Sequence, residues 1–244
     1  KPPTALMNPL LDPYVIAQAY KEDPASAAAE YGAQFRTDVE SFISREAVEA
    51  VTIPDRFELP PTRGIFYFAF TDPTGGSGKD AFTLAICHED KKTDQIIVDV
   101  IRAQKPPFSP SETIASFCEV LNAYNIKTVC GDRWEGDFPR ELFRNRGITY
   151  NTSDKTKSDL YSEMLPLINS GRVELLDDRK LFNELVNLER RTSRNGKDSI
   201  DHSPNSHDDI INAVAVAVAG AMVTAASKNT NMVNIRISRF GVRT

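Results

Sequence analysis

The sequence has few of the residues that hold small domains together through metal or sulfur. Its 244 residues include three cysteines, Cys87, Cys118 and Cys130, and none of them forms a CxxC pair. A chain of this length buries roughly 70–75% of its unfolded surface, so it needs neither disulfides nor a structural zinc. An odd number of unpaired thiols is typical of a reduced, intracellular protein.

Strong compositional bias is also missing. With 12 glycines, 15 prolines, 41% hydrophobic and 26% charged residues, the composition excludes a disordered chain, a collagen and a mucin-like stalk. No signal peptide opens the chain. The apolar run 210–226 is shorter than the ~20 residues of a spanning helix and contains Asn212 and Thr224. It predicts a buried helix, and we expect no membrane partner.

An ATP-binding loop is missing as well. The stretch TGGSGK, residues 74–79, looks like a phosphate loop, but the GxxxxGK[ST] spacing puts Pro73 where the first glycine should be. Asp80 stands where Ser or Thr is required. We therefore interpret these residues as a tight turn between two strands, and we expect no ATP in this chain.

Charge is distributed unevenly along the chain. The formal net charge is -5, and residues 1–60 contain ten acidic and five basic residues. The remaining residues are neutral on average. An acidic total is unusual for a nucleic-acid-binding protein, but this distribution leaves room for a positive face beyond residue 60.

The pattern predicts three segments. Residues 1–62 form a helical arm that ends in a proline-rich linker over 53–61, residues 63–226 form one domain, and residues 227–244 form a basic tail. The chain begins with Lys1 instead of Met. We therefore expect it to be a piece of a longer protein.

The order of elements predicts an α/β fold with a mixed central sheet flanked by helices. Apolar runs at 65–71, 80–87 and 95–101 predict an antiparallel meander. A helix over 111–124 then leads to a strand at 126–130, which we expect to run parallel to one of them. An Asn-Gly pair at 195–196 predicts a late hairpin, and 207–226 predicts a long helix.

Acidic residues stand at the ends of these elements. Asp72 and Asp132 each follow an apolar strand, Asp208 and Asp209 open the long helix, and Asp80 opens the second strand. Any one of them is an ordinary turn or capping residue. If the strands that end in Asp72 and Asp132 are neighbours and the long helix packs on their sheet, these acids form a carboxylate cluster that needs cations. Oxygen ligands suit Mg²⁺ or Mn²⁺, and two such ions catalyse phosphodiester hydrolysis.

The segments FTDPTGGSGKDAFTLAI, VCGDRW, KTKSDLY and HDDIINAVAVA, in this order and spacing, resemble the nuclease domain of tailed-phage large terminase subunits. The resemblance covers about residues 63–226 and implies an RNase H-like fold. It implies a metal-dependent endonuclease that cuts concatemeric double-stranded viral DNA, with Asp72, Asp132 and either Asp208 or Asp209 as ligands. Asp208 is preferred, and Asp80 is a further acid of the site.

The same resemblance implies partners that this chain does not contain. They are an ATPase domain towards which the arm would lead, the small terminase subunit and the portal. It also implies a location in the cytoplasm of an infected host cell.

Basic residues near the cut site are needed to hold DNA. The candidates are Arg190, Arg191, Arg194 and Lys197 on the late hairpin, and Lys155 and Lys157 in KTKSDLY. The alternative for the hairpin residues is a solvated basic turn, and Lys155 and Lys157, as sequence alone, favour a solvated first turn of a helix. His207 is a supporting residue of the site or a helix cap. No base-reading element is evident, so we expect cleavage with little sequence specificity.

Two alternatives stay open at this point. Another RNase H-like enzyme, such as a Holliday junction resolvase, would use the same acids. A non-enzymatic assembly or DNA-binding module would use them only as caps.

Overall fold

The computed structural model of the chain describes residues 7–8, 10–33, 39–132, 138–153, 155–192, 198–204 and 206–229. The strands are β1 Val39–Ser41, β2 Tyr67–Asp72, β3 Phe82–Asp90, β4 Gln95–Gln104, β5 Thr128–Gly131, β6 Thr149–Thr152, β7 Val173–Glu174, β8 Leu188–Thr192 and β9 Asp198–His202. The helices are α1 Pro13–Glu22, α2 Pro24–Glu30, α3 Arg45–Val51, α4 Pro110–Ala123, α5 Phe138–Arg144, α6 Lys157–Asn169, α7 Arg179–Val186 and α8 Asp209–Asn229.

A mixed central sheet has the strand order β6-β5-β2-β3-β4-β7. The predicted meander is confirmed, since β2 pairs antiparallel with β3 and β3 pairs antiparallel with β4. The strand that follows α4 is also as expected, because β5 runs parallel to β2 and β6 runs parallel to β5. The short strand β7, parallel to β4, was not predicted. At two residues, its apolar signal is too short to detect.

Alternation along the strands divides the core between the two faces of this sheet. On β3, Leu84 and Ile86 belong to the apolar cluster that α4 and α5 cover, whereas Ala85 and Cys87 belong to the cluster that α6, α7 and α8 cover. Successive side chains of a strand point to opposite faces, so a strand buried on both sides is almost wholly apolar. This explains why the hydrophobic runs of the sequence identified the central strands.

Helix α8 lies in the middle of one layer. Every residue of α8 from Ile210 to Ala221 is buried, and Gly220 lets the helix approach β2 so closely that an added Cβ would collide with the ring of Phe68. The prediction of a buried helix is thus confirmed, although α8 begins at Asp209 and continues to Asn229. Among the residues that the structure describes, no helix is long and apolar enough to cross a membrane.

The predicted hairpin forms and recruits a strand from the arm. β8 pairs antiparallel with β9, and β1 adds to the other side of β8, so these strands make a second, three-stranded sheet. The Asn195-Gly196 turn lies outside the described residues. Phe42, Ile43 and Val48 of the arm are buried in the cluster that also contains α8. The division at residue 63 stays a prediction, but the arm and the following residues share a core.

Arg190 of β8 is a structural residue, which corrects its assignment as a DNA contact. Its side chain is 4% exposed and lies 2.5 Å from Asp23, 3.8 Å from Asp198 and 4.0 Å from Glu40. The guanidinium also stacks over the ring of Phe42. Sequence alone cannot distinguish a buried arginine from an exposed one, because its acidic partners come from distant parts of the chain.

We expect Arg190→Ala to destabilise the fold, because it removes a buried guanidinium and leaves partly buried carboxylates without this counter-charge. Breaking a buried ion pair costs about 3–5 kcal/mol. The neighbouring Arg191, whose side chain is 48% exposed and pairs with Glu189, is the matched control. Its change to alanine should cost less than about 0.5 kcal/mol. Urea unfolding of both variants tests this, and equal losses would contradict a structural role for Arg190.

Candidate active site

The ends of β2 and β5 bring two predicted site residues to one edge of the central sheet. Phe70 and Thr71 pair in parallel register with Cys130 and Gly131, and the next residues along the two strands are Asp72 and Asp132. Asp72 and Asp132 both line a cleft of about 350 Å³. The cleft is lined by Asp72, Pro73, Thr74, Asp80, Asp132, Lys157, His202, His207, Asp208 and Asp209.

A tyrosine of the neighbouring strand β6 holds the backbone at the end of β5. The Tyr150 hydroxyl donates to the carbonyl of Asp132 over 2.7 Å. A Cβ at position 131 would collide with the Tyr150 ring, so only glycine leaves room for this support. Tyr150 stacks on Phe143 and is 6% exposed. The direction in which the chain leaves β5 therefore depends on this packing.

Three hydrogen bonds dock the first turn of α8 on the same sheet edge. Asp209 Oδ2 accepts from the N–H of Ala81 over 3.1 Å, and the Asp209 carbonyl accepts from the Thr83 hydroxyl over 3.2 Å. One turn later, Asn212 Nδ2 donates to Asp72 Oδ2 over 2.7 Å. Asp72 of β2 is thus connected directly to the helix that carries Asp208 and Asp209.

A carboxylate from α7 caps α8. Glu184 Oε2 accepts from the N–H groups of Ile210 and Ile211 over 2.8 and 2.9 Å, which satisfies two donors that a helix start leaves open. Lys180 Nζ lies 3.3 Å from Glu184 Oε1 and 3.5 Å from Asp209 Oδ2. Burial raises the pKa of Glu184 to about 7, although the hydrogen bond from the Ile211 N–H acts to lower it.

Asp208 and Asp209 are consecutive but have different surroundings. Asp208 is 5% exposed; its Oδ2 accepts from the Tyr161 hydroxyl over 3.0 Å and lies 3.2 Å from Lys157 Nζ. Burial, reinforced by Asp208, raises the pKa of Tyr161, so its hydroxyl stays a donor. Burial acts to lower the pKa of Lys157, but the charge and hydrogen bond of Asp208, together with the charges of Asp72 and Asp201, raise it above its usual value. Both aspartates line the cleft, and the preference for Asp208 stays a prediction.

Asp80 and His207 lie close to Asp209 in the same cleft. One ligand atom from each of Asp80, His207 and Asp209 lies within 4.8 Å of the others. The glycine-rich residues 74–79 do connect two strands, as expected, but they lie in a loop over 73–81 that is longer than the predicted tight turn. The Thr74 hydroxyl donates to the Asp80 carbonyl over 3.2 Å. This loop returns Asp80 to the cleft that Asp72 also lines.

Repulsion and burial shape the protonation of the cleft. Burial raises the pKa of Asp72 to about 6; the Asn212 hydrogen bond and Lys157 work against this, and the Asp132 and Asp209 charges add to it. A carboxylate held in such surroundings gains from a nearby cation. The donors here are mainly carboxylate oxygens, which fit Mg²⁺ or Mn²⁺.

The basic residues predicted to bind DNA have different environments. Lys157 lines the cleft and its side chain is 50% exposed. Lys155 pairs with Glu163 and is not among the residues that line the cleft. Arg191 is exposed on β8, Arg190 is buried, and Arg194 and Lys197 lie outside the described residues. Of the predicted DNA-binding residues that the structure describes, Lys157 is the one that lies at the carboxylates.

Sequence reasoning missed four residues that organise the site: Tyr161, Lys180, Glu184 and Asn212. Asn212 carried a usable signal, because it lies four residues after Asp208 and interrupts an apolar run. The other three lie on α6 and α7, in amphipathic segments where a polar residue normally faces solvent. Nothing in their local pattern marks them.

Solved structures similar to this chain include phage large terminases and their nuclease domains. The large terminase nuclease of thermophilic phage G20c with bound magnesium is 19% identical, with a TM-score of 0.59 over 71% of this chain and 94% of that one. The HK97 bacteriophage large terminase is 18% identical, with a TM-score of 0.60 over 75% of this chain and 44% of that one. A mutant nuclease domain from bacterial virus Sf6, with manganese and beta-thujaplicinol, is 14% identical, with a TM-score of 0.54.

At these identities the likeness concerns the fold. The chain has the RNase H-like, mixed α/β fold of terminase nuclease domains, which confirms the fold expected from the sequence. No protein-family model matches the chain, and a search of curated proteins finds no match either.

We expect metal-free protein to lose stability as pH rises through the titration of Asp72. Because its pKa is raised from 3.8 to about 6 in the folded state, the folded state binds the proton more tightly. The stabilisation is complete below pH 4 and is lost as pH passes 6, by at most about 3 kcal/mol. The measurement is urea unfolding in EDTA from pH 4 to 7, with Asp72→Asn as the reference. Parallel pH profiles for the two proteins would refute the shift.

We expect Glu184→Ala to destabilise the protein through the start of α8. It leaves two buried N–H donors without an acceptor, each worth roughly 1–3 kcal/mol. Glu184→Gln should lose less, because an amide oxygen can accept both bonds. Asp178, which caps α7 through the N–H of Leu181, is the control. Asp178→Ala should cost only about 1 kcal/mol in chemical unfolding, and an equal or greater loss would argue against the cap on α8.

Proposed function

We propose that this chain is the metal-dependent endonuclease of a viral DNA-packaging terminase, cutting double-stranded concatemeric DNA with little sequence specificity. One observation carries the proposal. Five aspartates from four separate parts of the chain (Asp72, Asp80, Asp132, and Asp208 with Asp209) line one cleft in a terminase nuclease fold. A non-enzymatic module has no need to bring these charges together, since capping requires each of them only at its own element.

Asp72, Asp132 and Asp208 are the proposed principal metal ligands, with Asp209 and Asp80 as further ligands. A pair of Mg²⁺ or Mn²⁺ ions would activate a water molecule and stabilise the leaving oxygen of the cleaved phosphodiester. The protein's contribution is to fix the carboxylates in place. Asn212 orients Asp72, the Tyr161 hydroxyl orients Asp208, and the Ala81 N–H orients Asp209.

Lys157 is the proposed contact to the DNA backbone nearest the reaction. Its ammonium lies 3.2 Å from Asp208 and its side chain is half exposed at the cleft. Once cations neutralise Asp208, this ammonium is free to approach a phosphate oxygen. Arg191 is a more distant candidate for backbone contact, as are Arg194 and Lys197.

The wider assignment follows the same proposal. Residues 1–62 would join the nuclease to an ATPase domain, residues 63–226 would form the nuclease, and residues 227–244 would form a basic tail. The small terminase subunit and the portal would be partners in an infected cell's cytoplasm. The aligned region covers 44% of the HK97 large terminase, which is consistent with a nuclease that forms part of a larger protein.

The test is cleavage of supercoiled plasmid in Mn²⁺, in Mg²⁺ and in EDTA. We expect metal-dependent nicking and linearisation by the wild type, and a loss of roughly 100-fold or more in Asp72→Ala, as when one transition-state contact is removed. Glu112→Ala, exposed on the first turn of α4 and away from the cleft, is the control and should cut normally. Cleavage that survives in Asp72→Ala would contradict the proposed site.

Substrate comparison separates this proposal from the resolvase alternative. We expect linear duplex to be cut at least as well as a four-way junction or an RNA–DNA hybrid. A strong preference for the junction would favour a resolvase with the same fold.

A further inference from the structure

Two groups of residues in the cleft offer different donor atoms. Asp72, Asp132 and Asp208 provide oxygen only, whereas the group of Asp80, His207 and Asp209 adds an imidazole nitrogen. One ligand atom from each member of this second group lies within 4.8 Å of the others. A single ion between them would therefore have two carboxylates and one histidine within reach after small side-chain movements.

His207 differs from the other two histidines in having its ring available. The Nδ1 atom of His88 lies 2.7 Å from Asp99 Oδ2, and His88 is buried. The Nδ1 atom of His202 lies 3.0 Å from the Ser203 carbonyl oxygen. His207 is exposed at the cleft, and its ring makes no hydrogen bond or ion pair with the part of the chain that the structure describes.

The second group is also anchored by the backbone. Asp209 Oδ2 accepts from the N–H of Ala81, the residue after Asp80. Because Asp209 opens α8 and follows His207 by two positions, the start of α8 and the start of β3 are held together at this point. Asp80 and His207 therefore lie close to a carboxylate that the Ala81 N–H holds in place.

We propose that Asp80, His207 and Asp209 form a metal position with a histidine ligand, so that the two metal positions of the cleft are chemically unequal. This inference rests on the proposed metal-dependent nuclease. Imidazole nitrogen is a good ligand for transition metals, whereas Mg²⁺ strongly prefers oxygen. The His207 position would thus bind Mn²⁺ in preference to Mg²⁺. The position formed by Asp72, Asp132 and Asp208, which has only oxygen ligands, would accept either ion.

The test is pulsed electron paramagnetic resonance of the Mn²⁺-loaded protein, which detects nitrogen bound to manganese. We expect ¹⁴N modulation in the wild type, its replacement by ¹⁵N modulation after labelling with ¹⁵N-histidine, and its loss in His207→Ala. His202→Ala is the matched control, because His202 lines the same cleft and should leave the nitrogen signal in place. In calorimetric titrations, His207→Ala should lower the affinity for Mn²⁺ and leave that for Mg²⁺ unchanged.

The outcomes separate this inference from the proposed function. Bound Mn²⁺ without nitrogen modulation in the wild type, or modulation that survives in His207→Ala, would overturn the histidine ligand and leave the nuclease proposal standing. A wild-type protein that binds no Mn²⁺ would overturn both. The ¹⁵N labelling needs no substitution, so the inference stays testable even if the variant is unstable.

Discussion

The contact between the first turn of α8 and the edge of the central sheet determines the geometry of the candidate active site. Asp209 accepts hydrogen bonds from the N–H of Ala81, the residue before β3, and from the hydroxyl of Thr83 on β3. Asn212 donates a hydrogen bond to Asp72 of β2. Glu184 of α7 caps the start of α8 by accepting from two of its N–H groups. Because a shift of one residue rotates a helix by about 100°, the carboxylates of Asp208 and Asp209 face the cleft only while this contact holds.

The rest of the fold can be understood as support for that contact. Apolar residues on both faces of β3 allow the central strand to be covered by helices on each side, which places α8 against the sheet. Gly220 permits the close approach of α8 to Phe68. Gly131 makes room for Tyr150 beneath Asp132. In each case a small residue allows a large aromatic side chain to set the position of the backbone.

At this site the fold buries carboxylates close together, although their charges repel one another and lose solvation. Burial and neighbouring carboxylates raise the pKa of Asp72 to about 6, so assembling the cleft without cations costs folding free energy. Lys157 and Lys180 offset part of this cost through Asp208 and Asp209. The same opposition would make a divalent cation stabilising when it binds, since it neutralises charges that the fold cannot separate. Elsewhere, the buried Arg190 is paired with a carboxylate of the protein itself, that of Asp23.

The sequence by itself determined the mixed α/β fold, the meander, the hairpin strands and the five aspartates of the cleft. The hydrophobic pattern of a strand and an acidic residue at its end are local features, so both can be identified in the sequence itself. Tertiary structure decided that Arg190 is buried, that β1 joins the hairpin, and that Tyr161, Lys180 and Glu184 support the site. The physical reason is that a side chain's solvation and charge partners depend on residues far away in sequence. Asp23 and Arg190, or Glu184 and Ile210, meet only after the chain has folded.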